Sequence, residues 1–450
     1  AKSLIHFFFA ERATTKVPSL GRSNNGTPPL VKPKKISKIG IIGGGTMGSG
    51  IAIAALSAGI QVVLKEINDQ ALQAGVKRVM DVLDGRLERK KLSQQQYDHM
   101  TRHLFKSQTT YDNFDQLDMV IEAVLEIVPL KQKIFKEMEQ YCNKECILAT
   151  NTSTIDLNQI GAQVRSKDRI IGLHFFSPAH VMPLLEIIRT GETSAQTIAT
   201  SLNFAKQIRK TPVVVGNCPG FLVNRTFYPY GESAHYLVDR GVDLYQIDRA
   251  IQKFGFRVGP FLMNDIAGVD VINFAFKSMS EPFKQRSYAI HLNQLLVDAK
   301  RLGQKTGSGN YKFDAKTGRP MPDPEMKSLI EQARKLSGNP KPFATPLTDE
   351  QIVEYLLFPT VNEALRVVEE GHVYRVSDVD VACTMGMNFP RHYGGLLKWA
   401  DTIGAKRIAE TLDRMARDSG LKMFEPCQYL KQCANSGASL YSIDKQLSKQ

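Results

Sequence analysis

Two residues in one apolar stretch set the chemical question. The segment GLHFFSPAHVMPLLEI, residues 172–187, places His174 between Leu173 and Phe175 and carries a lone acid, Glu186, near its end. An imidazole titrates near neutral pH and takes a proton from a hydroxyl. A carboxylate on its second ring nitrogen fixes the tautomer and stabilises the imidazolium. His174 falls at the end of an expected strand, and Glu186 on the next apolar segment, which can return to meet it. In a dry setting this pair reads as a base and its orienting partner. The other histidines, His180 among them, read as core histidines.

A second constellation names a reaction partner for that base. Gly43-Gly44-Gly45-Thr46-Met47-Gly48 is a GxGxxG that leaves a strand and opens a helix. Glu66 ends the next strand about 20 residues on, as a dinucleotide fingerprint requires. Gly43 permits the tight turn, Gly45 lets backbone approach a pyrophosphate, and Gly48 lets helix and strand pack closely. The helix N-terminus supplies N–H groups and partial positive charge to phosphates. A carboxylate at Glu66 accepts from ribose hydroxyls and repels a 2′-phosphate. The expected cofactor is therefore NAD rather than NADP, and the default chemistry is hydride transfer.

The elements that must position these groups follow from the patterning. KIGIIGGG, the small-residue helix TMGSGIAIAALSAG and QVVLKE form a βαβ unit, which implies a parallel sheet with helices on its faces. Residues 117–124, 146–151, 169–175 and 211–216 read as further strands. LKQKIFKEMEQYC and TSAQTIATSLNFAKQI have helical spacing. After Gly216 the remainder reads mostly helical, and it contains a repeat. Residues 231–256 resemble 361–389, with Gly241 matching Gly371 and Asp248 matching Asp378, and NDIAG (264–268) echoes ADTIG (400–404). The expected organisation is a linker helix and flexible linker (1–37), a Rossmann-like domain (38–216), a first helical repeat (217–314), a polar connector near 315–345, and a second repeat (345–450). The fold class is an α/β Rossmann-type NAD-binding domain followed by a duplicated all-α domain.

Composition narrows the alternatives. The 450 residues are 42% hydrophobic and 23% charged, and no apolar run is long enough for a membrane-spanning helix. A net charge of +13 suits an anionic partner. It suits nucleic acid less well, since the chain lacks the basic patches interleaved with aromatics that single-strand binders use. Six cysteines without a CxxC pair imply neither a disulfide framework nor a zinc site, and no metal is expected. They read as a reducing compartment. SLIHFFFAER near the start has only Lys2 as a basic flank and no small-residue cleavage site, so it reads as a helix of a longer polypeptide rather than a signal peptide.

The motifs GGGTMGSGIA, VIEAV, NTST, GLHFFSPAHVMPLLEI, GNCPGFLVNR and KTGSGNY occur in this order. Together they resemble the L-3-hydroxyacyl-CoA dehydrogenase family over about residues 38 to 436. The doubled C-terminal region and the leading HFFFAER are similar to the dehydrogenase half of multifunctional β-oxidation enzymes of the plant-like peroxisomal type. The resemblance implies that His174 takes the 3-hydroxyl proton, that Glu186 orients it, and that Ser153 and Asn224 hydrogen-bond the 3-oxygen of a 3-hydroxyacyl-CoA. It implies that Thr46, Met47, Glu66, Glu126, Lys133, Ser153, Ser177 and Lys305 line NAD, with Glu66 standing where the family often has Asp and Ser177 where it often has Asn. It implies an enoyl-CoA hydratase/isomerase half as partner, and a peroxisome as location with a mitochondrion as alternative. Ser448-Lys449-Gln450 is close to the peroxisomal Ser-Lys-Leu without being it. Lys77, Arg78, Arg86, Arg89 and Lys90 are candidates for the anionic end of coenzyme A. Two rivals remain: a dehydrogenase of small hydroxy acids, and a non-catalytic NAD-holding protein associated with nucleic acid.

Overall fold

The computed structural model describes residues 1–20 and 31–447. Residues 21–30 of the expected linker, and Ser448-Lys449-Gln450, lie outside the described residues. The chain forms two compact units. Of the described residues, one comprises 8–20, 31–221 and 372–374; the other comprises 1–7, 222–371 and 375–447.

The first unit is built on one eight-stranded sheet in the order β3-β2-β1-β4-β5-β6-β7-β8. Its strands are β1 (Lys38–Ile42), β2 (Gln61–Lys65), β3 (Phe105–Gln108), β4 (Met119–Glu122), β5 (Ile147–Thr150), β6 (Ile170–Phe175), β7 (Leu184–Arg189) and β8 (Thr211–Gly216). The first six are parallel, in the doubly wound order that puts a ligand crevice where β1 and β4 part. β7 reverses direction against β6, and β8 runs parallel to β7. β4 and β5 are buried along their whole length, and β1 along all but its first residue. That is why they read as continuous apolar runs rather than alternating ones. Two strands went unread in the sequence. β3 is a short edge strand, FKSQ, with no buried residue and only Phe105 as an apolar signal. β7 is apolar throughout apart from Glu186 and its terminal Arg189.

Three helices of this unit matter for the site. α1 (Thr46–Ser57) follows the glycine loop and buries Gly48 through Leu56, a run of small and aliphatic residues that lets it lie close to the sheet. α2 (Asp69–Glu88) is capped by the Asn68 side chain, which accepts from the Ala71 N–H. α3 (Val128–Tyr141) opens with a proline in its first turn, where the missing N–H is harmless. Ile134, Phe135 and Met138 form its buried stripe, and Lys131 shares that stripe.

The second unit is mostly helical. Two long helices, α4 (Val223–Asp239) and α7 (Asp349–Glu369), carry interior prolines, Pro229 and Pro359, at the same distance before Gly241 and Gly371. Each is followed by a shorter pair: α5 (Leu244–Phe254) and α6 (Pro260–Ala267), then α8 (Val376–Met387) and α9 (Leu396–Ile403). The expected polar connector holds the strand Pro320–Pro322, which pairs antiparallel with Tyr311–Phe313 just before it, and a helix, Met326–Leu336.

The repeat is held together twice by one device. Asp248 accepts from the N–H groups of Phe261 and Leu262, both at 2.9 Å, and from the Tyr311 hydroxyl at 2.8 Å. In the second copy the same work falls to Asp380, which accepts from Leu397 N–H at 2.8 Å, Lys398 N–H at 3.0 Å and the Tyr441 hydroxyl. Asp380, not Asp378, is thus the counterpart of Asp248. The sequence match slips because the stretch from Gly371 to the cap of α8 at Arg375 is longer than that from Gly241 to the cap of α5 at Asp243.

α4 also buries Glu232, whose Oε1 accepts from the Ser287 hydroxyl and the Tyr288 N–H, both at 2.6 Å. Burial pushes its carboxyl up to about 8, against those hydrogen bonds, which pull it down. In the unfolded chain the group ionises near 4.5. Between those values the folded protein keeps a proton that the unfolded chain releases, so stability falls as pH rises through that window. Glu232→Gln keeps an acceptor for both donors and has no proton to lose. The melting temperature of this variant is expected to exceed that of the parent at pH 8 and to match it at pH 5. An identical loss of stability between pH 5 and 8 in both proteins would remove Glu232 as its source.

Candidate active site

His174 and Glu186 are direct cross-strand partners in the antiparallel register of β6 and β7. His174 Nδ1–H donates to Glu186 Oε2 at 2.6 Å, a short, charge-assisted geometry. His174 is 5% exposed and Glu186 fully buried. With Nδ1 protonated by this contact, Nε2 carries the lone pair and is the basic nitrogen. The ring packs against Phe176, 4.6 Å between centroids, and Phe221, at 5.7 Å. These aromatics exclude water from the imidazole. The opening pair of the sequence is therefore a hydrogen-bonded imidazole and carboxylate in a dry wall.

The glycine loop has the geometry of a dinucleotide cradle. Gly43 adopts a φ of +102°, and a Cβ there would meet the Ala123 carbonyl at 2.7 Å. A Cβ on Gly48 would lie 1.8 Å from the Gly43 carbonyl oxygen, so only glycine lets α1 start this close to β1. At Gly45 a Cβ would meet nothing within 4 Å, which leaves the loop open on its outer side. Among the described residues no side chain caps α1, so its first-turn N–H groups face that open side. Thr46 is exposed and Met47 half-buried there. Glu66 sits beside the loop, with Oε1 accepting from the Gly44 N–H at 2.6 Å and Oε2 from the Ile67 N–H at 3.0 Å. Its carboxylate is thus held at the place a ribose would occupy. Lys65 turns away over the ring of Tyr111, 4.4 Å from its centroid. These features fit NAD.

At the ends of β4 and β5 a charged network is buried. Glu122 is fully buried and Lys131 is 1% exposed, and they pair at 2.7 Å. Glu122 also accepts from the Val124 N–H and the Thr150 hydroxyl, both at 2.7 Å. Lys131 reaches Glu126 at 3.8 Å. Glu126 accepts from the Thr152 hydroxyl at 2.7 Å and the Ser153 N–H at 3.4 Å. Glu126 and Ser153 are thus brought together. Lys133 is not part of this cluster: its side chain is 74% exposed and pairs with Glu137 at 3.9 Å. Lys131 is the lysine that turns inward. The signal was present in the sequence, because residue 131 falls on the stripe of Ile134, Phe135 and Met138. Breaking such a buried pair costs about 3–5 kcal/mol, because one charge is left uncompensated. Asn151 adds a further tie that the sequence did not reveal, its side chain accepting from the Phe175 N–H at 3.0 Å beside His174.

The remaining expected residues are placed as follows. Ser177 lies just past β6, in the segment leading to β7. Asn224 and Lys305 belong to the helical unit, Asn224 in the first turn of α4 and Lys305 in an ion pair with Asp270 at 2.6 Å.

Of the five cations proposed for an anionic ligand, two converge. Arg86 and Arg89 line a cavity of about 730 Å³, together with Ser57, Lys91, His180 and Arg209. Arg86 donates to the Ser57 hydroxyl and Arg89 to the Gly85 carbonyl. Among the described residues none of Arg86, Arg89, Lys91 and Arg209 forms an ion pair. The carboxylate of the lining, Asp81, is engaged by Lys77 at 2.7 Å. Lys77 therefore serves Asp81, and Arg78 donates to the Gly44 carbonyl at 3.0 Å. Neither they nor Lys90 lines the cavity. His180 does line it. Among the described residues its Nδ1, which is buried, has no hydrogen-bond partner, and burial, Arg86 and Lys210 hold its pKa below the usual value. The cavity opens where α1 ends at Ser57, one helix length of about 17 Å from the glycine loop.

Comparison with known proteins decides the family. The description "3-hydroxyacyl-CoA dehydrogenase, NAD binding domain" matches residues 38–218, and "3-hydroxyacyl-CoA dehydrogenase, C-terminal domain" matches 220–313 and 352–442. The chain belongs to the 3-hydroxyacyl-CoA dehydrogenase family. It is 47% identical to a glyoxysomal fatty acid beta-oxidation multifunctional protein of Brassica napus, over 98% of this chain and 59% of that protein. It is 47% identical to a peroxisomal one of Arabidopsis thaliana, over 99% and 61%. The chain thus spans about three fifths of the length of these curated relatives. Among solved structures, the dehydrogenase part of multifunctional enzyme 1 from C. elegans aligns with a TM-score of 0.67 and 29% identity, covering 95% of this chain and 96% of that one. The 3-hydroxybutyryl-CoA dehydrogenase of Escherichia coli aligns with a TM-score of 0.76 and 26% identity, covering 90% and 100%. The glycine loop belongs to the family's NAD-binding domain, and the reading as a non-catalytic, nucleic-acid-associated protein is set aside.

Proposed function

We propose that this chain oxidises (S)-3-hydroxyacyl-CoA to 3-ketoacyl-CoA with NAD⁺, as the dehydrogenase part of a longer β-oxidation enzyme. The observation that carries this reading is the buried His174–Glu186 pair on the same sheet as the NAD cradle. NAD, when bound at the glycine loop, supplies the hydride acceptor for the substrate's C3. His174 Nε2 takes the 3-hydroxyl proton. Glu186 holds the ring through Nδ1 and stabilises the imidazolium that forms. Ser153 and Asn224 hydrogen-bond the 3-oxygen, as the family resemblance implies. Glu126, Lys131 and Glu66 belong to the cofactor side. The enoyl-CoA hydratase/isomerase half is the expected partner, and the names of the plant relatives support a peroxisomal location over a mitochondrial one.

The test is NADH absorbance on mixing the chain with NAD⁺ and (S)-3-hydroxybutyryl-CoA, then a longer (S)-3-hydroxyacyl-CoA. Turnover that needs NAD⁺ and rejects the free hydroxy acid is expected. Turnover of the free acid at an equal rate would transfer the assignment to a small-substrate dehydrogenase.

The cations of the 730 Å³ cavity, which form no ion pair among the described residues, fit the phosphates of coenzyme A. The double variant Arg86→Glu/Arg89→Glu is expected to raise KM for the thioester by about 10- to 100-fold while leaving KM for NAD⁺ unchanged. Equal KM values for the thioester in variant and parent would place the phosphates elsewhere.

A further inference from the structure

The first turn of α4 carries two neighbours with opposite surroundings. Asn224 is half-buried, whereas every other residue from 221 to 230 is buried. Arg225, 3% exposed, points inward to α7. Its Nε donates to Glu363 Oε1 at 2.8 Å, and its two terminal nitrogens grip both oxygens of Glu370 at 2.7 and 2.8 Å. Glu363 is held in turn by Arg286, at 2.7 and 3.2 Å, and lies 3.6 Å from Arg366. The ring of Phe283 packs beneath both Arg225 and Arg286.

Successive helical residues differ by about 100° around the axis. Fixing the direction of Arg225 therefore fixes the direction of Asn224. A bidentate fork does this better than a point charge, because it restrains rotation as well as distance.

The repeat shows that this clamp is one-sided. Counted from the interior prolines, Asn224 corresponds to Glu354, Arg225 to Tyr355, Glu363 to Ser233 and Glu370 to Arg240. The second copy has kept the helices but neither the amide nor the arginine. Glu354 instead pairs with Arg407 at 2.7 Å. What the second copy supplies to the first is the carboxylate pair of Glu363 in α7 and Glu370 at its C-terminal cap.

We infer that Arg225 is a positioning residue, clamped by Glu363 and Glu370 of the second repeat so that the Asn224 amide is aimed at the 3-oxygen of the substrate. This rests on the proposed role of Asn224. It gives the second repeat a function in a reaction whose other groups lie elsewhere.

The experiment compares kcat, KM for NAD⁺, KM for (S)-3-hydroxybutyryl-CoA and melting temperature in Arg225→Lys, Asn224→Ala and the double variant, all in the full chain. Arg225→Lys is expected to lower kcat about tenfold, leave KM for NAD⁺ within about twofold, and have no further effect once Asn224 is alanine. Glu370→Gln, at the exposed end of the clamp, is expected to lower kcat about threefold with the same dependence on Asn224, and it serves if Arg225→Lys fails to fold. A merely structural arginine would lower kcat by the same factor in both backgrounds, and that result overturns the inference alone. Full activity in Asn224→Ala would overturn the reading of Asn224 and the inference together.

Discussion

Replacing His174 with glutamine is expected to lower kcat by about 10³- to 10⁴-fold, the effect of deleting a general base. Glutamine fills similar space and offers its amide to Glu186, so the sheet need not rearrange. It has no nitrogen that takes a proton near neutral pH. The glycine loop and Glu66 are untouched, since their hydrogen bonds run to Lys65, Ile67, Ser49 and Arg78 and not to His174. NAD⁺ affinity, measured by protein fluorescence or calorimetry, is therefore expected to match the parent. An unchanged kcat would remove His174 as the base. Lost activity together with lost NAD⁺ binding would make the residue structural.

Glu186→Gln is the second large effect, about 10²-fold on kcat. The carboxylate does two things at 2.6 Å from Nδ1: it holds the tautomer with the lone pair on Nε2, and it balances the imidazolium. An amide can present its NH₂ to the ring, which would select the wrong tautomer, and it carries no charge. A fully buried carboxylate in a strand core is itself expensive, so the fold gains little from keeping it for stability. Melting temperature is accordingly expected to change little. A variant that unfolds, with activity lost only in proportion to the unfolded fraction, would show that Glu186 serves packing rather than catalysis.

Much of this site was legible because its signals are short-range. A glycine that must adopt a positive φ, or whose Cβ would lie 1.8 Å from a carbonyl oxygen, shows in the sequence as an unavoidable glycine. A buried parallel strand shows as an apolar run, and a lone acid or histidine inside such a run stands out. Other parts needed long-range information. Lys131 and Lys133 are two positions apart on one helix, and only packing decides which one meets Glu122. The periodicity of α3 pointed to Lys131, but the family resemblance drew attention to its neighbour. Likewise, of five cations in and just beyond α2, only Arg86 and Arg89 meet the cavity, because Lys91, His180 and Arg209 complete it from other parts of the chain. The slip between Asp378 and Asp380 arose because an alignment carried through a loop of different length cannot know which acid caps the next helix.

By itself, the sequence determined the doubly wound start and the NAD cradle, and it singled out His174 and Glu186 as the proposed base and its carboxylate, since backbone chemistry and strand or helix period are set by neighbours along the chain. The tertiary structure alone decided that β7 reverses to put Glu186 opposite His174, that Lys131 is buried with Glu122, and that α7 clamps Arg225. Register, charge pairing and helix rotation are settled between residues far apart in sequence. There the desolvation of each charge must be offset by a partner that only the folded chain brings within reach.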